Sequence, residues 1–421
     1  MRSGVEERVL AAVDEPALVR LLAELVAVPS VGGSAAESEV QHLVADRLEA
    51  LGCDVDRWPI DLDAAAADPD APGQEVTRDE AWGVVGTLPG AEEGQPALVL
   101  CGHTDVVPAG DRALWPHDPF TPRLAGGVLS GRGACDMKAG VAAVLGALAA
   151  VRTAGVRLVR PVAVHSVVGE EDGGLGAWAT LARGHRGDAC VLPEPTAGAV
   201  VTANAGALTF RLEVPGRAAH GALRDQGVSA VELFAELHAD LRAFEAERQA
   251  GADPALFGTR FPFGLSIGRV QAGNWASSVP DRLVAEGRYG VRVDEPVPAA
   301  RAAFEQRVAA FCAGHPFLAG EPVRVSWTGG SFAGGRLPEG HPLLGRVRDA
   351  VVDAGGGVPP ERALSGGTDL RLYAAAGVPA LNFGPGDLHL AHGPRESVPV
   401  AEVATAARAF ALLVLRSAGT R

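Results

Sequence analysis

The sequence predicts an α/β protein, a sheet covered by helices on both faces, with an α+β block inserted into it. Three observations carry that expectation. Strand-like and helical segments alternate through the first half. The pattern changes near residue 206 to half-exposed strands and long amphipathic helices. After about residue 322 the α/β alternation resumes. The expected division is therefore 1–205 with 322–421, around an insert at 206–321. A chain of 421 residues is long for a single core, so two domains are the default.

The elements follow in order. Ser34 and Glu37 have the S-x-x-E spacing of a capping box. It opens a periodic helix through Val40, Leu43, Val44 and Leu48, stopped by Gly52. Residues 61–75 are acidic, rich in Ala and Pro, and aperiodic; they read as a surface loop without chemistry. Residues 97–101 form a short apolar strand, 139–151 a buried Ala-rich helix, and 162–168 and 189–192 two further strands. In the insert, 208–214 alternates as a half-exposed strand should, and 228–247 reads as an amphipathic helix. Strands near 265–270 and 283–293 and a helix over 299–313 complete it. Residues 378–383 then read as a strand and 402–415 as a terminal helix.

Composition narrows the function classes. Hydrophobic residues make up 47% of the chain, enough for a large core, which excludes general disorder. The formal charge of −14 makes nucleic acid and anionic membrane poor partners. There is no long uncharged apolar run of spanning length, and the opening residues have no leader pattern. Cys53, Cys101, Cys135, Cys190 and Cys312 are far apart and form no C-x-x-C pair, the expectation for buried free thiols in a reducing, cytoplasmic setting.

Metal-type residues recur just beyond the strands. His103 and Asp105 follow the strand at 97–101. Asp136 lies in GRGACDMKAG, bracketed by glycines and just before a helix. Glu170, Glu171 and Asp172 follow the strand at 162–168, and Glu194 follows the strand at 189–192 between two prolines. His392 follows the strand at 378–383, with His389 as a competitor for its role. Singly, each has an ordinary explanation: a hydrogen-bonded loop histidine, an N-cap aspartate, a solvated acidic turn. Together, His103, Asp136, Glu171, Glu194 and His392 are five metal-type ligands, four of them after strands, where ligand groups collect in open α/β sheets. Two zinc ions sharing one carboxylate need about that many protein ligands.

The ordered motifs HTDVVP (103–108), GRGACDMKAG (131–140), GEEDGG (169–174), EPT (194–196), GRAAHG (216–221) and AHGPRES (391–397) resemble those of the M20 metallopeptidase/amidohydrolase family. That group includes acetylornithine deacetylase, succinyl-diaminopimelate desuccinylase and carboxypeptidase G2. The resemblance implies a zinc-peptidase-like catalytic domain with a mixed central sheet, and an inserted lid that also forms a homodimer. It implies two Zn²⁺ ions (Co²⁺ or Mn²⁺ in their place), one on His103 and Glu194, one on Glu171 and His392, with Asp136 bridging. Asp105 would orient His103, Glu170 would be the general base, and a cis peptide would follow Asp136. His220 would help bind the oxyanion and Arg292 would grip a substrate carboxylate. Two segments depart from the family pattern. Ser277 stands where the lid usually has Asn, with Asn274 three residues earlier, and Gly367 stands where Thr is usual, next to Thr368. Both segments touch substrate in relatives. The implied activity is hydrolysis of an N-acyl amino acid or a related small carboxylate-bearing amide. A dipeptidase or carboxypeptidase with the same site is the nearest rival, and a metal-free binding protein on the same fold is a more distant one.

Overall fold

A computed structural model of the chain describes residues 2–421. The chain divides into two compact units. One runs to Ala203 and resumes over Arg336–Arg362 and Thr368–Arg421; the other is Asn204–Gly335 with Ala363–Gly367. The first unit thus resumes at Arg336 and not at 322, because the strand Arg324–Phe332 pairs with Gly206–Pro215.

The first unit is built on a mixed sheet. Its order runs Asp54–Pro59, Trp82–Leu88, Val162–Val167, Leu98–His103, Cys190–Leu192, Ala380–Asn382 and then Val200–Asn204. Leu98–His103 is parallel to both of its neighbours, while Trp82–Leu88 is antiparallel to both of its own. Every residue of Leu98–His103, Val162–Val167 and Cys190–Leu192 is buried, as their continuous apolar character requires of strands covered on both faces. The alternation of side chains separates two cores: Leu98, Leu100 and Val164 face one, Val99, Cys101 and Ala163 the other. The helix Lys138–Thr153 lies close against the strands because its small residues permit it. A Cβ on Gly140 would stand 2.1 Å from the Pro193 carbonyl oxygen. This close approach brings the start of that helix to the carboxyl ends of the strands, where His103, Glu170 and Glu194 emerge.

Two expectations need correction. Ser34 is the N-cap of the helix Ala35–Ala50 but makes no side-chain cap bond. Glu37 accepts instead from the Gly33 N–H at 2.6 Å, one residue before the N-cap, and from the Arg78 guanidinium at 3.0 Å. Residues 61–75 are not a plain loop. Asp61 caps a short helix, Leu62–Ala67, and the Glu75 N–H donates to Asp172 at 3.0 Å.

The second unit is a four-stranded antiparallel sheet in the order Leu265–Ala272, Arg282–Val291, Gly206–Pro215, Arg324–Phe332. The helices Ala230–Arg248 and Val297–Gly314 supply its core with Leu237, Leu241 and Phe304. Phe304 packs on Phe210 and Tyr289 with ring centroids 4.6 and 5.0 Å apart. Alternate residues on the strands form an ion-pair ladder: Arg211–Glu286 at 2.8 Å, Arg269–Glu286 at 3.0 Å and Arg282–Glu213 at 3.1 Å. All five cysteines are free and buried. No helix among the described residues is long and apolar enough to cross a membrane.

Phe304 is fully buried, so Phe304→Ala leaves a cavity between sheet and helix. We expect a loss of roughly 3–5 kcal/mol, read as a lowered urea midpoint. A loss below 1 kcal/mol would mean that the sheet and helix close over the gap.

Candidate metal centre

Three strand ends and two turns supply the site. His103 is the last residue of Leu98–His103, and its ring is fixed by the main chain. Its Nδ1 lies 3.0 Å from the Asp105 carbonyl oxygen, which can only accept, so Nδ1 carries the proton. The Asp105 carboxylate is farther off, at 3.7 Å. It accepts instead from the Glu170 and Glu171 N–H groups at 3.3 and 3.1 Å. Asp105 therefore bonds the His103 ring through its carbonyl and the acidic turn through its carboxylate.

With Nδ1 protonated, the lone pair of His103 Nε2 points at Asp136 Oδ1, 3.1 Å away. A lone pair facing a carboxylate at that distance calls for a cation between them, a proton or a metal. Asp136 does not cap the following helix; Met137 stands at the N-cap, and the Asp136–Met137 peptide is cis. Its other oxygen, Oδ2, is 3.5 Å from His392 Nε2. His392 Nε2 also lies 3.0 Å from Glu171 Oε2. Each oxygen of Asp136 thus faces one of two imidazoles. Glu194 Oε2 and Glu170 Oε2 stand 3.9 and 4.0 Å from His103 Nε2. Ligand atoms of His103, Asp136 and Glu171 all lie within 4.8 Å of one another.

The electrostatics match a site built for positive charge. Burial pushes the Glu171 carboxyl up to about 7 and Glu194 up to about 8, and Asp136 beside each adds to the rise. Burial likewise holds Glu170 well above the ordinary carboxylate range. Hydrogen bonds to Asp136 and Glu171 raise His392 to about 10. Burial opposes charge on His103, but Asp136, Asp105, Glu194 and Glu170 together hold it well above the usual imidazole value. His392 sits in the left-handed region, φ 60°, unusual for a residue with a Cβ and the kind of strain that collects at functional sites. Its rival His389 is exposed and pairs with Asp387 at 2.8 Å, outside the cluster.

A support missed in the sequence is Glu396. Its carboxylate accepts from the Cys135 and Asp136 N–H groups at 3.0 and 3.1 Å and from the Arg132 guanidinium. Arg132 also donates to the His392 carbonyl at 3.2 Å. One ion pair therefore ties the Asp136 turn to the His392 loop. Both partners lie inside quoted motifs, but nothing in their spacing joins residues 264 apart. Cys135, next to Asp136, donates its thiol to the Asp387 carbonyl at 3.3 Å, and burial pushes that thiol far up.

The remaining candidates lie elsewhere on the chain. In the second unit, the strand Ala219–His220 pairs with Ser278–Val279, and the Gly221 N–H donates to the Ser277 carbonyl at 2.7 Å. His220 and Ser277 are thus neighbours, and Asn274 is exposed in the same loop. Arg292 Nε and Nη2 donate to the Arg248 carbonyl at 3.2 and 3.0 Å. Gly367 packs under Phe332; a Cβ there would lie 2.7 Å from the ring, which accounts for glycine at this position. In the first unit, the Thr368 hydroxyl donates to Asn382 Oδ1 at 3.3 Å.

Arg132 and Glu396 side chains are 2% and 0% exposed, so Arg132→Met leaves a buried carboxylate without its partner. We expect a loss of roughly 3–5 kcal/mol in urea denaturation, with weaker metal retention. Unchanged stability would show that Glu396 takes up a proton at no cost.

Comparison with known proteins bears on this geometry. The model of "Peptidase family M20/M25/M40" matches residues 99–416. Succinyl-diaminopimelate desuccinylase of Stenotrophomonas maltophilia is 30% identical over 403 residues, covering 92% of this chain and 95% of that protein. N-formyl-4-amino-5-aminomethyl-2-methylpyrimidine deformylase of Bacillus subtilis is 26% identical over 415 residues, covering 92% and 91%. Among solved structures, a tripeptidase from Staphylococcus aureus superposes with a TM-score of 0.75 at 20% identity, covering 96% of this chain and 99% of that one. The chain belongs to peptidase family M20/M25/M40 and is a hydrolase of amide bonds.

Proposed function

We propose that this hydrolase is a two-zinc deacylase that removes an acyl group from the amine of a small, carboxylate-bearing molecule. The observation that carries the reading is the placing of Asp136 between two imidazoles, one facing each oxygen. In this reading His103 and Glu194 would hold one cation, Glu171 and His392 would hold the other, and Asp136 would serve both. Such cations would supply Lewis acidity, polarising the amide carbonyl and acidifying the attacking water. The chain's own part is to align and to move protons. Glu170 takes the proton of the attacking water and passes it to the leaving amine. Adjacent Glu170 and Glu171 divide the labour, one moving protons and the other binding metal, on a turn that Asp105 anchors by both of their N–H groups.

The substrate class rests on the relatives. Both relatives named above carry names that describe removal of an acyl group, succinyl or formyl, from nitrogen. Residues assigned to the substrate are His220 for the oxyanion and Asn274, Ser277, Gly367, Thr368 and Arg292 for the rest of the molecule. With Nε and one hydrogen of Nη2 engaged, Arg292 would meet a carboxylate through Nη1 and the remaining hydrogen of Nη2. Two copies would pair through Leu265–Ala272, an edge strand bonded on one side only, whose Val270 is 49% exposed. The five buried thiols suit a cytoplasmic setting.

Glu170→Gln should keep the metal and lower turnover by about 10²–10⁴-fold. Undiminished turnover would remove Glu170 from the mechanism. A panel of N-succinyl, N-formyl and N-acetyl amino acids set against dipeptides tests the substrate class. Faster cleavage of dipeptides would shift the reading to a peptidase with the same site, and no bound metal and no turnover would return it to a binding protein. Light scattering tests the pairing: a dimer that Val270→Arg splits supports it, and a monomer, or a dimer that this substitution leaves whole, removes it.

A further inference from the structure

Arg78 follows the segment that reads as a plain loop, yet its side chain is 0% exposed. Its guanidinium makes two forks. Nε and Nη2 donate to Glu37 at 3.0 and 3.1 Å, and Nη1 and Nη2 donate to Asp172 at 2.9 and 2.7 Å. Asp172 is the residue after Glu171, and its Oδ2 also accepts from the Glu75 and Val76 N–H groups at 3.0 and 3.1 Å. The loop is seated closely: a Cβ on Gly173 would stand 2.2 Å from the Gly73 carbonyl oxygen.

The acidic turn is thereby fixed from three directions. Asp105 holds the Glu170 and Glu171 N–H groups. Arg371 donates to the Gly173 carbonyl. Arg78 holds Asp172. Only the last of these spans two buried carboxylates, and only a guanidinium offers enough donors in one plane to satisfy both.

We infer that Arg78 is a positioning residue: through Asp172 it sets the turn so that Glu171 faces His392 and Glu170 lines the same cluster. Arg78 touches neither of these glutamates' carboxylates nor any reacting atom. The inference rests on the two-metal reading above and adds to it a part of the chain, residues 73–78, that the motifs do not reach. The competing account is that the Arg78 triad only braces the fold.

Two variants separate these accounts. Asp172→Asn leaves the turn a single uncharged amide oxygen for Arg78 to grip and leaves a neutral Arg78–Glu37 pair. Glu37→Gln leaves a neutral Arg78–Asp172 pair and keeps the turn anchored. The two disturb the buried charge alike, so a brace alone predicts the same loss from both. We expect Asp172→Asn to weaken Co²⁺ binding, measured by chelator competition and the visible Co²⁺ spectrum, and to lower kcat by about 10–100-fold at little change in KM, while Glu37→Gln stays within about twofold of wild type in both. Equal losses from the two variants overturn the inference. Should Asp172→Asn fail to fold, Arg78→Lys, which keeps the charge and loses the fork, is read in its place with the same expected loss; wild-type metal affinity and kcat in that variant also overturn it. Wild type that binds no metal would instead sink the two-metal reading itself.

Discussion

Charge balance at the strand ends governs this molecule. Asp136, Glu170, Glu171 and Glu194 crowd two imidazoles in largely buried surroundings. Such a group of acids has no apolar or purely structural reason to gather. It persists only with positive charge among them, and the surrounding structure is arranged to keep the acids close. Backbone N–H groups of the acidic turn go to Asp105, those of the Asp136 turn go to Glu396, and arginines stand behind both.

This arrangement has layers. The inner residues point at one another across 3.0–3.9 Å. Behind them, the Asp136 turn is gripped by the Glu396 carboxylate, which the Arg132 guanidinium holds in turn. The acidic turn is held differently: Asp105 accepts its N–H groups, and Arg78 grips the turn's own Asp172. In each case an arginine supplies the positive charge that lets a further buried carboxylate stand behind the cluster.

The inner layer was legible in the sequence and the outer layer was not, for a physical reason. Metal chemistry restricts residue type, so His103, Glu171, Glu194 and His392 stand out after strands, and Asp136 stands out between its glycines. The alternation of strands and helices likewise pointed to the central strands, and its change near residue 206 to an α+β block, while strand direction was not legible. Support is less restricted. Glu37 has the spacing of a capping box, and a local contact was the natural reading; its partner Arg78 lies 41 residues away. Asp105 was expected to orient the His103 ring, but which of its oxygens does so was not legible: the carbonyl is nearer, at 3.0 Å, than the carboxylate, at 3.7 Å. Residues 61–75 showed composition and no period, and composition says nothing of docking on Asp172. Such contacts are set by the folded chain's three-dimensional path, which periodicity does not encode.

Cys135 sits one residue from the acid placed between the two imidazoles. A thiolate in that position would be a soft ligand, attractive to copper(I) and other thiophilic ions. Burial, with the charges of Asp136 and Glu396 beside it, keeps the sulfur protonated, and the thiol is turned to the Asp387 carbonyl. The donors that remain are nitrogen and oxygen, hard to borderline in character. By withholding one atom, the fold keeps sulfur out of the set of atoms that face one another across the cluster.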